Sequence, residues 1–153
     1  MNDRTKLIFP PCYPRLTERE GQTMVWDELR RKWLVLTPEE WVRRHLIAYL
    51  TQQCGASLHS VYQEYAVCIN GQPQRADVVV CDSMGEPLLL AECKEPKVAI
   101  DSSVRDQAMR YNAVVGARYV LLTNGIVLRG WERTDEGYRP LESLPDLRTT
   151  QNK

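Results

Sequence analysis

Arg75-Ala76-Asp77-Val78-Val79-Val80-Cys81-Asp82-Ser83-Met84-Gly85-Glu86-Pro87-Leu88-Leu89-Leu90-Ala91-Glu92-Cys93-Lys94 is the stretch on which the reading of this chain turns. Two apolar runs, Ala76 to Cys81 and Pro87 to Lys94, flank an Asp-Ser-Met-Gly-Glu segment whose glycine tolerates positive φ, the pattern of a β-hairpin. A turn centred between Met84 and Gly85 sets Asp77 opposite Glu92, with Cβ atoms about 5 Å apart. Lys94, two residues beyond Glu92, lies on the same face. Leu88-Leu89-Leu90-Ala91 does not alternate, as expected of a strand covered on both sides, where an unpaired charge is costly.

Two facing carboxylates on such strands repel each other, and burial disfavours both charges unless a cation neutralises them. Oxygen ligands of this kind select a hard divalent ion such as Mg²⁺. A lysine beside that ion can hold or deprotonate a water and offset charge developing on a phosphate. The competing reading is a hairpin with ordinary ion pairs on a solvated face.

Asp77, followed by Glu92-x-Lys94 at the end of the next strand, resembles the active-site pattern of the PD-(D/E)xK nucleases. Ala76 stands where the pattern's name has proline, a residue that takes no chemical part. The resemblance extends outward in chain order through Thr37-Pro38-Glu39-Glu40-Trp41-Val42-Arg43, Arg75-Ala76-Asp77, Glu92-Cys93-Lys94, Gln107-Ala108-Met109-Arg110-Tyr111 and Leu122-Thr123-Asn124-Gly125. Together these look like the amino-terminal nuclease domain of type I restriction enzyme R (restriction) subunits, over about residues 24 to 132.

The resemblance implies an α/β restriction-endonuclease-like core and a Mg²⁺-dependent endodeoxyribonuclease, a hydrolase in which Mn²⁺ substitutes for Mg²⁺. Carried onto this sequence, it makes Asp77, Glu92 and the backbone carbonyl of Cys93 the metal ligands and Lys94 the residue that positions and activates the attacking water. It also matches Glu40 to a helical glutamate that approaches the metal, and Gln107 to an amide aimed at the scissile phosphate or the water. The implied partners are DNA and the motor (helicase), specificity and methylation subunits of a restriction system. No G-x-x-x-x-G-K-[ST] loop occurs, so an ATP-driven motor is expected elsewhere, with the chain either a fragment or a free-standing relative. The alternative is a catalytically silent nuclease-fold module for DNA or protein binding, although a scaffold has no physical need for so costly a cluster.

The 153 residues, 43% hydrophobic, suit one domain with a real core. Lys plus Arg and Asp plus Glu both number 20, so contact with DNA requires a local basic patch or a partner that delivers it. No run reaches the roughly 18 apolar residues of a membrane span, and no signal-peptide core follows the first residues, which reads as a soluble, cytoplasmic chain. Cys12, Cys54, Cys68, Cys81 and Cys93 form no C-x-x-C pair and read as reduced, packed thiols. His45 and His59 lack metal-ligand spacing.

Residues 1–22 read as an irregular arm, with Pro10-Pro11-Cys12-Tyr13-Pro14 excluding helix and Thr17-Glu18-Arg19-Glu20-Gly21 as a polar break. Leu7-Ile8-Phe9 is expected to pack on the domain surface or on a partner. Thr23–Trp26 suggests a short strand, and Glu28-Leu29-Arg30-Arg31-Lys32-Trp33 is either a phosphate-contacting patch or a solvated face. A helix over 38–53 follows from Thr37 as N-cap, Pro38 at the first position, Glu40 completing a capping box, and apolar Val42, Leu46, Tyr49 and Leu50. Capping alone accounts for Glu40, so its place in a site stays open. A strand over 61–69 carries Glu64, read as solvent-facing, and turns at Asn70-Gly71.

Asp101-Ser102-Ser103 starts a second helix through Val104, Ala108 and Tyr111, with Gln107 and Tyr111 stacked on one face. Gln107 is there either for function or as a solvated helix residue. Strands over 119–123 and 126–131 flank Asn124-Gly125, and residues 134–153 read as a polar tail. The nuclease domain is thus expected over 23–133, in the order α-β-β-β-α-β-β, with a central mixed β-sheet flanked by helices.

Overall fold

The computed structural model describes residues 6–148. Three short strands, β1 (Leu16–Arg19), β2 (Gln22–Asp27) and β3 (Lys32–Val35), precede α1 (Pro38–Gln52) and a 3₁₀ turn at Leu58–Ser60. Then come β4 (Val61–Ile69), β5 (Gln72–Cys81), β6 (Pro87–Cys93), α2 (Ser102–Val115), β7 (Tyr119–Thr123), β8 (Leu128–Thr134) and β9 (Gly137–Pro140). β4 to β9 form one six-stranded sheet in sequential order, and β1 to β3 form a separate three-stranded meander. All neighbours in the large sheet are antiparallel except β6 and β7, which run parallel because α2 carries the chain across between them. The expected α/β class, a mixed sheet flanked by helices, is what forms.

The unbroken apolar runs follow from that layering. Val78 and Val80, with Leu89, Ala91 and Cys93, pack with Val42, Leu46 and Leu50 of α1. Val79, Leu90, Val120 and Leu122 pack with Val104, Ala108 and Tyr111 of α2. Successive strand residues point to opposite faces, so a sheet with a helix on each side needs apolar residues at every position.

Both helices carry the N-caps that the sequence indicates, but Glu40 does not close the expected capping box, because the Thr37 N–H donates to the Val35 carbonyl and the Glu40 carboxylate is taken by arginines. Thr37 accepts a hydrogen bond from the Glu40 N–H at 3.0 Å, and Asp101 accepts from the Ser103 and Val104 N–H groups, each at 3.1 Å. α2 ends at Gly116, whose φ of +78° is the left-handed conformation that glycine adopts without strain.

Both termini depart from expectation. The stretch expected to be an irregular arm, 1–22, contains β1 and the start of β2, joined through Glu20 and Gly21, both at positive φ as a tight hairpin turn requires. Its four residues, Leu-Thr-Glu-Arg, are too polar to show alternation, so pairing with β2 and not burial makes it a strand. Leu7 and Phe9 sit inside the α1-side core while Ile8 stays exposed, and the Ile8 N–H donates to the Gly125 carbonyl at 2.8 Å.

The tail over 134–153 likewise contains β9, an edge strand of Gly, Tyr, Arg and Pro. It also contains Leu147, which is wholly buried in the α1-side core and donates its N–H to the Cys54 carbonyl at 2.8 Å. Leu141 and Leu144 pack against the same core, but Pro140, Pro145 and the polar residues between these leucines leave no helix or strand pattern. Residues 149–153 lie outside the described residues.

Smaller differences concern turns and thiols. β8 begins at Leu128, because Asn124 accepts from the Ile126 and Val127 N–H groups and widens the Asn124-Gly125 turn into a four-residue loop. The β5–β6 register shifts at Val80/Cys81, so the turn spans Asp82 to Glu86 and is organised by Asp82, which accepts from the Met84 and Glu86 N–H groups. All five cysteines are free, but Cys68 is exposed on a hairpin edge and not packed. Among the described residues no helix is long and apolar enough to cross a membrane.

Candidate active site

The bulge at Cys81 leaves the rest of the hairpin in the expected alignment: Val80 pairs with Leu89, Val79 with Leu90 and Val78 with Ala91. One step further Asp77 meets Glu92, and there the backbone ladder stops. The Asp77 N–H donates to Glu92 Oε2 at 2.7 Å, and the Cys93 N–H donates to Asp77 Oδ2 at 2.7 Å. Each carboxylate therefore replaces a backbone carbonyl as the acceptor for the facing strand. Beyond this point β5 stays with β4 as far as Gln72↔Ile69, while β6 stays with β7 as far as Cys93↔Thr123. The two central strands diverge, and Asp77 and Glu92 sit at the apex of the opening.

Both carboxyls are held toward the protonated form. Burial pushes Glu92 up to about 8, with the Asp77 charge adding to it, and burial likewise raises Asp77. Arg43 and Lys94 supply the positive charge that opposes this at Asp77. Lys94 is half-buried and anchored by its N–H to the Thr123 carbonyl at 2.9 Å. The Cys93 thiol points away into the α1-side core, where burial raises it well above its ordinary value and leaves it unreactive.

From the α2 side, Gln107 donates to the Tyr111 hydroxyl at 3.3 Å, and that hydroxyl reaches Gln74 of β5 at 3.4 Å. Burial and then the charges of Glu92 and Asp77 raise the Tyr111 hydroxyl, which puts the Gln107–Tyr111 pair in the field of the carboxylates. The i,i+4 spacing in the sequence is thus used as read.

Glu40 is placed differently. Its carboxylate takes Arg43 at 2.7 Å and Arg44 at 3.0 Å, and Arg44 continues to Asp27 at 3.2 Å. Asp27 is wholly buried at the end of β2. Burial alone would raise it, but Arg30, Arg44 and Gln63 outweigh that and hold it at about 2. This chain of ions locks the amino-terminal meander onto α1 and β4 and absorbs the carboxylate of Glu40. It also uses Arg30, which pairs with Asp27 and with Glu64, so the basic segment over 28–33 is partly committed inward. Glu64 itself is exposed, as read, at a φ of +51°.

The α1 residues that share the field of Asp77 are Glu39 and Arg43. Burial and then the Asp77 charge raise Glu39, while Arg43 and Lys94 oppose the rise. Arg43 feels Asp77 in turn, and its Nη1 is buried with no hydrogen-bond partner among the described residues. Neither stood out in the sequence. Their i,i+4 spacing was a signal, but Glu40 drew the assignment because it matches the family's helical glutamate.

The donor set suits a small divalent ion. Asp77 and Glu92 spend one oxygen each on a backbone N–H, and their side chains also interact with each other. Among the described residues no group of three or more His, Cys, Asp or Glu side chains gathers at metal-binding distance. Mg²⁺ accommodates such a set, because it typically takes one or two carboxylates and keeps several waters.

Comparison with known proteins agrees with this architecture. A solved structure described as a fragment of an HsdR subunit of a type I restriction enzyme from Vibrio vulnificus YJ016 superposes with a TM-score of 0.56 at 17% identity. The match covers 75% of this chain and 25% of that one, so this chain spans about a quarter of that protein's length. At that identity the likeness establishes the fold alone. No curated protein matches the sequence. The family described as "Type I restriction enzyme R protein N terminus (HSDR_N)" matches residues 38–145, from the first turn of α1 past β9, and the chain belongs to that family.

Proposed function

We propose that the chain is a metal-dependent endonuclease domain that hydrolyses DNA phosphodiester bonds, of the PD-(D/E)xK type, working within a restriction system in the cytoplasm. The observation that carries this reading is the Asp77–Glu92 pair at the point where β5 and β6 part, two carboxyls held toward protonation by burial, Glu92 also by the Asp77 charge, with Lys94 alongside. Such an arrangement is unfavourable without a cation. Asp77, Glu92 and the Cys93 carbonyl would hold Mg²⁺, or Mn²⁺ in its place. When bound, the ion supplies Lewis-acid polarisation of a phosphoryl oxygen and a more acidic water.

The chain's own residues do the rest. Lys94, as a cation, orients the attacking water by donating to it and offsets the charge growing on the phosphate. The Gln107 amide, fixed by its bond to Tyr111, donates to the phosphate or holds the water in line. Arg43 balances Asp77 from the α1 side, and Glu39 is the third acid within reach of that field. Glu40 acts through Arg43, as a positioning residue. DNA, and the motor, specificity and methylation subunits, would be the partners.

The test is plasmid nicking by the purified chain in Mg²⁺ and Mn²⁺, with Asp77→Asn and Lys94→Ala alongside. Metal-dependent nicking that both substitutions abolish is expected. Full activity in either variant would refute the assignment, and a folded chain that neither nicks nor binds Mn²⁺ would favour a silent binding module.

A further inference from the structure

The meander of β1 to β3 has two unlike faces. Its inner face carries Val25 and Asp27, both wholly buried. Its outer face follows from the register: Trp26 is opposite Trp33, Met24 is opposite Val35, and the Trp26 N–H donates to the Arg15 carbonyl, which puts Arg15 beside Trp26. Trp26 and Trp33 meet edge to face, 5.3 Å between centroids. The Arg15 guanidinium lies 5.4 Å from the Trp26 ring and 5.6 Å from that of Trp33, and the Arg19 guanidinium lies 5.5 Å from the Trp33 ring. Both tryptophans are half-buried, neither is part of either core cluster, and both arginines are exposed. Glu18 points to the other side with Thr23, and no strand position on the outer face is acidic.

In a chain with no net charge, this is a local surface of two cations and two unburied aromatic rings. We propose that the outer face of the meander docks single-stranded DNA, with unpaired bases stacking on Trp33 and Trp26 and phosphates held by Arg15 and Arg19. Rings on a flat sheet face reach only bases that are not already stacked in a duplex, which selects a single strand. The arginines now cover the rings, but an exposed cation–π contact is weak beside a stacked base. A strand arriving on the face therefore displaces the guanidiniums toward its own phosphates and uncovers the rings. The proposal rests on the reading of the chain as a DNA-processing domain and gives that domain a grip separate from its catalytic pair.

Anisotropy of a labelled oligothymidylate, titrated with the full chain in chelator and in moderate salt, tests it without any contribution from catalysis. The wild-type chain is expected to bind. Trp33→Thr, which keeps strand propensity, should weaken binding roughly tenfold or more. Arg15→Ala/Arg19→Ala, at two exposed positions that do not threaten the fold, should lower the slope of log K against log salt by about 1.4. An unstructured oligonucleotide that does not bind, or binds all three proteins alike, overturns the proposal. So does a result in which the substitutions change only self-association, since the face would then be a protein contact. Loss of oligonucleotide binding in variants that still bind Mn²⁺ supports it. Face-dependent binding by a chain that shows no metal-dependent nicking would leave the platform standing and remove the catalytic reading alone.

Discussion

Replacing Glu92 by Gln should make the metal-free protein more stable at alkaline pH while disabling its site. Glu92 is pushed from its ordinary 4.5 up to about 8 by burial and by Asp77, so the folded chain holds a proton that the unfolded chain releases. The stability this confers is fully present below pH 4.5 and is lost as pH rises toward 8. The loss runs at about 1.4 kcal/mol per pH unit and totals on the order of 5 kcal/mol once the group ionises in both states. Asp77 is raised as well and acts in the same direction. A glutamine retains an oxygen for the Asp77 N–H and carries no charge, so the variant should lack the part of this slope due to Glu92. Urea unfolding in chelator from about pH 5 to about pH 9 measures both curves. Wild type should lose stability with rising pH and the variant lose much less, the curves separating from about pH 5 upward. Adding Mg²⁺ at high pH should recover the wild type and leave the variant unchanged. Parallel curves for the two proteins in chelator would show that Glu92 is not strained by its surroundings and would refute the reasoning.

Three further outcomes test the frame around the site. Gly125 holds a φ of +87°, and a Cβ there would meet Leu7 Cδ2 at 2.6 Å, so Gly125→Ala should destabilise by about 1–3 kcal/mol in thermal or urea unfolding. Asp27→Ala leaves Arg44 to Glu40 and Arg30 to Glu64 and removes the buried acceptor that joins them, which should cost roughly 1–3 kcal/mol in the same measurement. Leu147→Ala should cost about 2–5 kcal/mol, with increased proteolysis of the carboxy-terminal segment, because its side chain completes the α1-side core. A neutral result for Leu147→Ala would mean that the segment does not hold its place in solution.

The centre of the fold was legible because its signals are local. Thr37 and Asp101 cap their helices through their own side chains, and unbroken apolar runs at 78–80 and 88–91 mark strands covered on both faces. The Asp77–Glu92 pairing could be read from hairpin counting even though the turn itself differs, because the bulge at Cys81 adjusts the register before the site. Polar strands were hidden for the opposite reason. β1 and β9 are held by pairing at sheet edges and carry no alternation of their own.

In the candidate site, the facing of Asp77 and Glu92 was legible from the strands, and the arrangement on α1 was not. Capping placed Glu40 in the first turn of α1, but did not show that two arginines would occupy its carboxylate. The divergence of β5 and β6 leaves no trace in sequence, since it depends on two side chains intercepting backbone N–H groups across the ladder. The Asp27 network joins β2, α1 and β4, residues far apart in the chain, and only the folded structure brings them together.

Calorimetric titration of Mn²⁺ into the metal-free chain near neutral pH, repeated in two buffers of different ionisation enthalpy, tests the central claim most directly. Saturable binding is predicted, with release of about one proton per ion as Glu92 gives up the proton it holds, and Asp77→Ala should abolish it. Absence of binding by the folded wild-type chain, or binding that persists unchanged in Asp77→Ala, would contradict the account.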